Sequence, residues 1–398
     1  MRQSQQEPPV VHLHIGTMKS GTSYIQGMLW RNRELLHAHG VLYPGETWQD
    51  QVEAVRDVIE ARGAQRRPDV SGSWDRMRDQ LLAWSGARAV LSMELLSLAQ
   101  PQRVAAVVES LAPAEVHAII TARDLARVVP SAWQESTQNR QTWTWPAYVA
   151  SVTGESEAEP AASKRFWSQH DLAEIARTWS AALSPDRVHL VLVPPSGGPR
   201  DELWRRFCSV VGLDAAAYGG AENVRGNPAV GAASAEFLRR LNVEIGRDLD
   251  VAAYERLVKR FLAKSTLAHR TTESRLVLPA RYGGWAHDRA AQMVAELREC
   301  GIDIVGDLDE LIPTHSTASH STASPSPASP SPSSEPLEST TVESEPESLQ
   351  TSADADEQIS EEEVADAGLH AVEALVLRLA QTTAGTDRPR RSAARSRR

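Results

Sequence analysis

Four short apolar runs punctuate the first half of the chain: residues 10–15 (VVHLHI), 89–91 (AVL), 116–121 (VHAIIT) and 188–193 (VHLVLV). Runs of this length, with few polar interruptions, predict strands buried on both faces. Between them, residues 23–39, 102–111 and 172–183 repeat apolar positions at helical spacing, and residues 229–244 and 251–264 do so later in the chain. Strands alternating with helices predict an α/β fold, a mainly parallel sheet flanked by helices.

That pattern stops after Leu311. The stretch HSTASHSTASPSPASPSPSSEP, beginning at His315, cannot bury enough apolar surface to offset its chain entropy. Residues 1–313 therefore form the folded domain, and 314–356 are expected to be a disordered Ser/Pro/acidic linker. In the remainder, 357–398, residues 361–381 place Val364, Leu369, Val372, Leu375, Val376 and Leu379 near one side of an amphipathic helix, and a basic tail follows. Two readings are open: a helix that frays in water, as short isolated helices do, or a helix that docks a partner or mediates self-association.

Composition narrows the class. The 398 residues are 41% hydrophobic, and no apolar run approaches the roughly 20 residues that span a bilayer, which excludes a transmembrane enzyme. The opening MRQSQQEPP lacks the apolar core of a secretory signal, so a cytoplasmic location is expected. Two distant cysteines, Cys208 and Cys300, point to neither a disulfide scaffold nor a cysteine zinc site. The net charge is -10, but residues 314–398 carry 14 acidic and 7 basic side chains, leaving a nearly neutral body. A nucleic-acid binder would instead show a broadly basic domain.

The loop after the first strand carries the clearest chemistry. Residues 14–26 read HIGTMKSGTSYIQ, between a strand and a helical pattern. Gly16 and Gly21 let the backbone curl, so that the amides of residues 20–23 point from a helix N-terminus at an anion; Ser20, Thr22 and Ser23 add hydroxyls. A nucleotide triphosphate loop reads GxxxxGK[ST]. Here the glycine separation is right, but Thr22 takes the lysine position and Lys19 lies two residues before Gly21. Lys19 is also one of only four lysines, with Lys164, Lys259 and Lys264, in a chain that otherwise uses arginine. A lysine at this point suggests a need for a compact point charge. A second candidate anion site follows a later strand: in VHAIITARDLARVVPSAWQE, Arg123 ends the apolar run and Ser131 comes eight residues on.

The pattern GxxKSGTS, together with Arg123 and Ser131, resembles the sulfotransferases that use 3'-phosphoadenosine 5'-phosphosulfate (PAPS), in their bacterial branch. The resemblance covers about residues 10–313 and is strongest in these two segments. It implies a P-loop-like sulfotransferase fold and transfer of a sulfuryl group from PAPS to a hydroxyl or amine of a carbohydrate, lipid or small-molecule acceptor. It implies further that Lys19 contacts the bridging oxygen, that the amides of Ser20, Gly21, Thr22 and Ser23 hold the 5'-phosphate, and that Arg123 and Ser131 hold the 3'-phosphate. No metal is implied, and the twelve histidines contain no HExxH pattern. Asp124 and Leu125 depart from the Asn-Pro that usually follows the arginine in eukaryotic members.

The general base has two candidates. Glu94, in VLSMELL, follows a strand whose carboxyl end should face the ligand crevice. His170, in FWSQHDL, precedes a helical pattern, where a cap or surface role is the alternative. Arg127 is a further cation or a solvated helix residue. Trp133, Gln134 and Glu135 face the acceptor or pack their helix, and Arg281, Tyr282 and Trp285 contact the donor, close the cleft or pack. Two other functions stay open: a P-loop nucleotide kinase, disfavoured by the lysine position, and a non-catalytic nucleotide-binding protein that recruits a partner through its tail helix.

Overall fold

Each apolar run forms a strand in the computed structural model, which describes residues 8–59, 70–199, 201–220, 230–246, 248–270, 273–313 and 359–386. The strands are β1 (Val10–Gly16), β2 (Val41–Leu42), β3 (Arg88–Ser92), β4 (Val116–Ala122), β5 (Val188–Leu192) and β6 (Asp303–Val305). They make one six-stranded sheet in the order β2-β3-β1-β4-β5-β6, and every pairing is parallel. The fold is α/β, with helices covering both faces. The two edge strands escape the sequence pattern because they are two and three residues long, too short for any periodicity.

Strand alternation divides the core into two layers. Val11, Leu13 and Ile15 join the larger cluster, while Val90, Ile119 and Val191 face the other, built around Trp204 and Phe207. From β1 the chain first runs outward to β2 and β3, then crosses to β4 on the other side. The carboxyl end of β1, flanked by β3 and β4, is therefore the switch point where open parallel sheets leave a ligand crevice.

The helical segments follow the pattern with two adjustments. Residues 23–39 form two helices, Thr22–Arg31 and Arg33–Ala38. They break at Asn32, whose amide donates to the carbonyls of Met28 (3.0 Å) and Gly219 (3.3 Å) and so competes with the backbone ladder. Residues 251–264 begin as the helix Val251–Tyr254 and continue as a π-helix, Glu255–Thr266.

The terminal helix, Glu361–Thr386, packs on the domain, which overturns the reading of a helix fraying on a free tail. Val364, Ala367 and Ala371 are buried against the helix Ala232–Ile245 and the π-helix. Arg240 donates to Glu361 (2.7 Å), Arg270 to Asp366 (2.8 Å) and Ser274 to Glu363 (3.0 Å), while Arg378 lies over the Phe261 ring at 4.2 Å. The expected linker, 314–356, lies outside the described residues. Among the described residues, no helix is long and apolar enough to cross a membrane.

Candidate functional site at the carboxyl end of β1

The loop leaving β1 rests on a buried polar ladder. His14 bonds Ser92 Oγ through Nδ1 (2.7 Å) and Thr121 Oγ1 through Nε2 (3.3 Å), so one ring ties β1 to β3 and β4. Burial pushes His14 down to about 3, which leaves the ring neutral and able to offer one donor and one acceptor. Thr121 Oγ1 meets Ser20 Oγ at 2.8 Å, the Ser20 hydroxyl also donates to the Thr17 carbonyl, and the Thr17 amide donates to the Thr121 carbonyl (2.8 Å). The Ser20 side chain thus braces the loop from inside, and what it offers a ligand is its backbone amide. The sequence signal for this ladder was present, as His and Thr interrupting apolar strands.

The loop curls through Gly16 (φ 77°), Lys19 (φ 63°) and Gly21 (φ 84°). Lys19 is a side-chain-bearing residue in the left-handed region, an arrangement associated with ligand-clamping loops. A Cβ at Gly16 would come within 2.7 Å of Glu94 Cβ, so the bare backbone is what lets the loop lie against Glu94. Gly21 caps the helix Thr22–Arg31 with no side-chain bond to its first amides. Those amides, from Thr22 and Ser23 onward, form the positive end of the helix dipole.

Lys19 meets Glu135, on the helix Leu125–Gln138, at 3.6 Å, and Lys264 of the π-helix meets the same carboxylate oxygen at 3.6 Å. Lys259 is held nearby, donating to Asn139 Oδ1 at 2.9 Å, and its charge also acts on Glu135. Three of the chain's four lysines therefore converge on one carboxylate. Burial pulls Lys19 below the ordinary lysine range, with Glu135 opposing the shift and Lys264 and Arg123 adding to it. Burial raises Glu135, but the three lysines outweigh it and the carboxyl stays below its usual value. Of the trio left open in the sequence, Glu135 faces the site. Trp133 is buried and donates to the Trp143 carbonyl (2.9 Å), and Gln134 donates to the Val230 carbonyl (2.7 Å).

Arg123 follows β4 directly. Its Nε is buried without a hydrogen-bond partner. Burial, and then the charges of Arg127 and Arg275, lower it to about 10, so it stays protonated at neutral pH. A buried guanidinium nitrogen lacking an acceptor is costly unless a ligand supplies one. Asp124 caps the helix through the Arg127 amide (2.9 Å), which closes the turn after β4. Arg127 also pairs with Asp124 and donates to the Pro194 carbonyl (3.1 Å), engagements that pin it toward the end of β5. Ser131 donates back to the Arg127 carbonyl (2.9 Å), leaving its oxygen lone pairs for a second contact.

The two candidate bases differ sharply in setting. Glu94 opens the 3-10 turn Glu94–Leu98 beyond β3, and its Oε2 accepts from Gln26 (2.8 Å), which also donates to the Ser92 carbonyl (3.2 Å). His170 ends the helix Pro160–His170 and is buried, not at the surface, with its ring 4.7 Å from Phe166 and its Nε2 unpartnered. Burial lowers it to about 3, with the charge of Lys19 adding to the shift. It is neutral at pH 7 and a poor proton acceptor. Tyr282 donates to Glu155, with Arg281 stacked over its ring at 4.8 Å, and Trp285 packs against the core near Trp167.

Gln26 also lines an open, mainly apolar cleft of about 410 Å³ with Gly27, Trp30, Tyr43, Thr47 and Trp48. The cleft lies on the β2 side of Glu94. Sequence reasoning missed it, because its walls come from two helices and a loop with no shared motif.

The chain matches no protein-family model and no curated protein. Among solved structures it is similar to a sulfotransferase from Alicyclobacillus acidocaldarius, at 14% identity and a TM-score of 0.34, over 63% of this chain and 99% of that one.

Proposed function

We propose that the protein is a sulfotransferase that takes a sulfuryl group from PAPS and transfers it to an acceptor hydroxyl or amine. The observation that carries this reading is Arg123: a charged side chain with a buried, unpartnered Nε at the end of β4, beside a β1 loop that already offers one anion site. Two phosphate sites on adjacent strands fit a donor with phosphates at both ends of its ribose. The residues present fit it: uncapped amides at Thr22 and Ser23 for the 5'-phosphate, and Arg123 with the Ser131 oxygen for the 3'-phosphate.

In the reaction the acceptor oxygen attacks sulfur in line as the bond from sulfur to the 5'-phosphate oxygen breaks. The sulfuryl group moves to the acceptor, and adenosine 3',5'-bisphosphate leaves with the bonding electron pair. Lys19 would stabilise the charge growing on that oxygen. Glu94, oriented by Gln26, would take the acceptor proton. The acceptor would approach from the cleft beside Gln26.

Calorimetric titration tests the donor assignment. Adenosine 3',5'-bisphosphate should bind roughly ten- to hundredfold more tightly than AMP, as expected for a charge-assisted contact. Arg123→Ala should erase most of that preference. Equal affinities would remove the support for the donor assignment, and a preference for ATP with magnesium would replace this reading with the kinase.

A further inference from the structure

The terminal helix shows two apolar faces, and the domain covers only one. Val364, Ala367 and Ala371 turn inward, whereas Leu369, Val372, Val376 and Leu379 are exposed at 70, 55, 57 and 64%. With Ala365 these outer residues are spaced 4-3-4-3, the heptad spacing of a helix seam. At 100° per residue the seam sits about a third of a turn away from the docked face.

We infer that this seam pairs with the same seam of a second copy of the chain, in antiparallel register. The stripe is symmetric about position 374: Leu369 mirrors Leu379, and Val372 mirrors Val376. A two-fold interface needs this self-complementarity, with each residue of one copy meeting its mirror position in the other. Antiparallel helices also oppose their dipoles.

Sedimentation velocity of the full chain over about a hundredfold range of concentration should show the mass doubling as concentration rises. The double variant Leu369→Glu with Val376→Glu should stay monomeric throughout, with the far-UV circular dichroism and donor binding of the parent, because both positions lie on the outer face. A parent chain that is monomeric at every concentration, or a dimer that the double variant keeps, would overturn the inference. Direction is read by oxidising a mixture of Leu369→Cys and Leu379→Cys proteins, both in a Cys300→Ser background. The mixed disulfide supports the antiparallel pair; a disulfide of the Leu369→Cys protein with itself contradicts it.

Discussion

Lys19 and Glu135 face each other at 3.6 Å across the gap between the β1 loop and the helix after β4. The pair is only part-exposed, and Lys264 approaches the same oxygen at the same distance. Glu135 thus offsets repulsion among Lys19, Lys264 and Arg123. Under the proposed function an anionic ligand would compete with Glu135 for the same cations, so the carboxylate should oppose that ligand.

Glu135→Gln should therefore tighten binding of adenosine 3',5'-bisphosphate by roughly three- to tenfold, in line with a partly screened charge pair. Turnover should fall in the same variant, because Lys19 loses the partner that positions it. Calorimetry with steady-state kinetics reads both; weaker binding would mean Glu135 contacts the nucleotide rather than competing with it.

Lys19→Ala should lower turnover by two to three orders of magnitude, roughly the cost of removing one oxyanion donor, with the unfolding midpoint unchanged. Lys19→Arg should rescue little of it, since a planar guanidinium does not replace a point charge on a tight left-handed turn. Parental rates in the folded alanine variant would remove the assigned role.

Glu94→Gln should lose most turnover while donor affinity stays near that of the parent. Gly16→Ala should damage the same step indirectly, because the added Cβ collides with Glu94 Cβ. His170→Ala should not reproduce the profile of Glu94→Gln, since a ring held neutral down to about pH 3 contributes no ionisation near neutrality. If the histidine variant alone shows lost turnover with intact binding, the base is His170.

Removing everything after residue 313 should cost roughly 3 kcal/mol of stability, from uncovering the surfaces under Val364, Ala367 and Ala371. Activity should drop as well, because the terminal helix buttresses the π-helix that carries Lys264. Urea unfolding and kinetics on the truncated chain measure the two effects. An unchanged midpoint would show that the docked helix adds nothing.

Acid should destabilise the fold early. His12, His14 and His170 are each lowered by burial to about 3, with the neighbouring His117 adding to the shift at His12. Unfolded histidine titrates near 6.5, so below that pH the unfolded chain takes up protons that the folded chain refuses. Their contribution is complete above about pH 6.5 and is lost as pH falls toward 3, so stability should fall with pH throughout that window, with a slope to which the three rings contribute alike. Urea unfolding at several pH values should show this slope, reduced by about a third in His170→Asn.

Local pattern was enough for the central strands, the major helices and the glycine loop, because burial on both faces and tight turns each restrict residue type at adjacent positions. The placement of Lys19, Arg123 and Glu94 was legible for the same reason: each follows an apolar run, and the carboxyl ends of such runs meet along one edge of a parallel sheet. The convergence of Lys19, Lys259 and Lys264 on Glu135 was not legible, since it joins residues more than a hundred positions apart. Nor was the burial of His170, which the sequence places only at a helix end, where a cap or surface role is equally open. The terminal helix marks the boundary most clearly. Its periodicity showed an apolar side in the sequence, but only packing separates Val364 and Ala371, turned into the domain, from Leu369 and Val376, left outside. Periodicity reports that a face is apolar; what covers that face depends on which surfaces the rest of the chain brings to it.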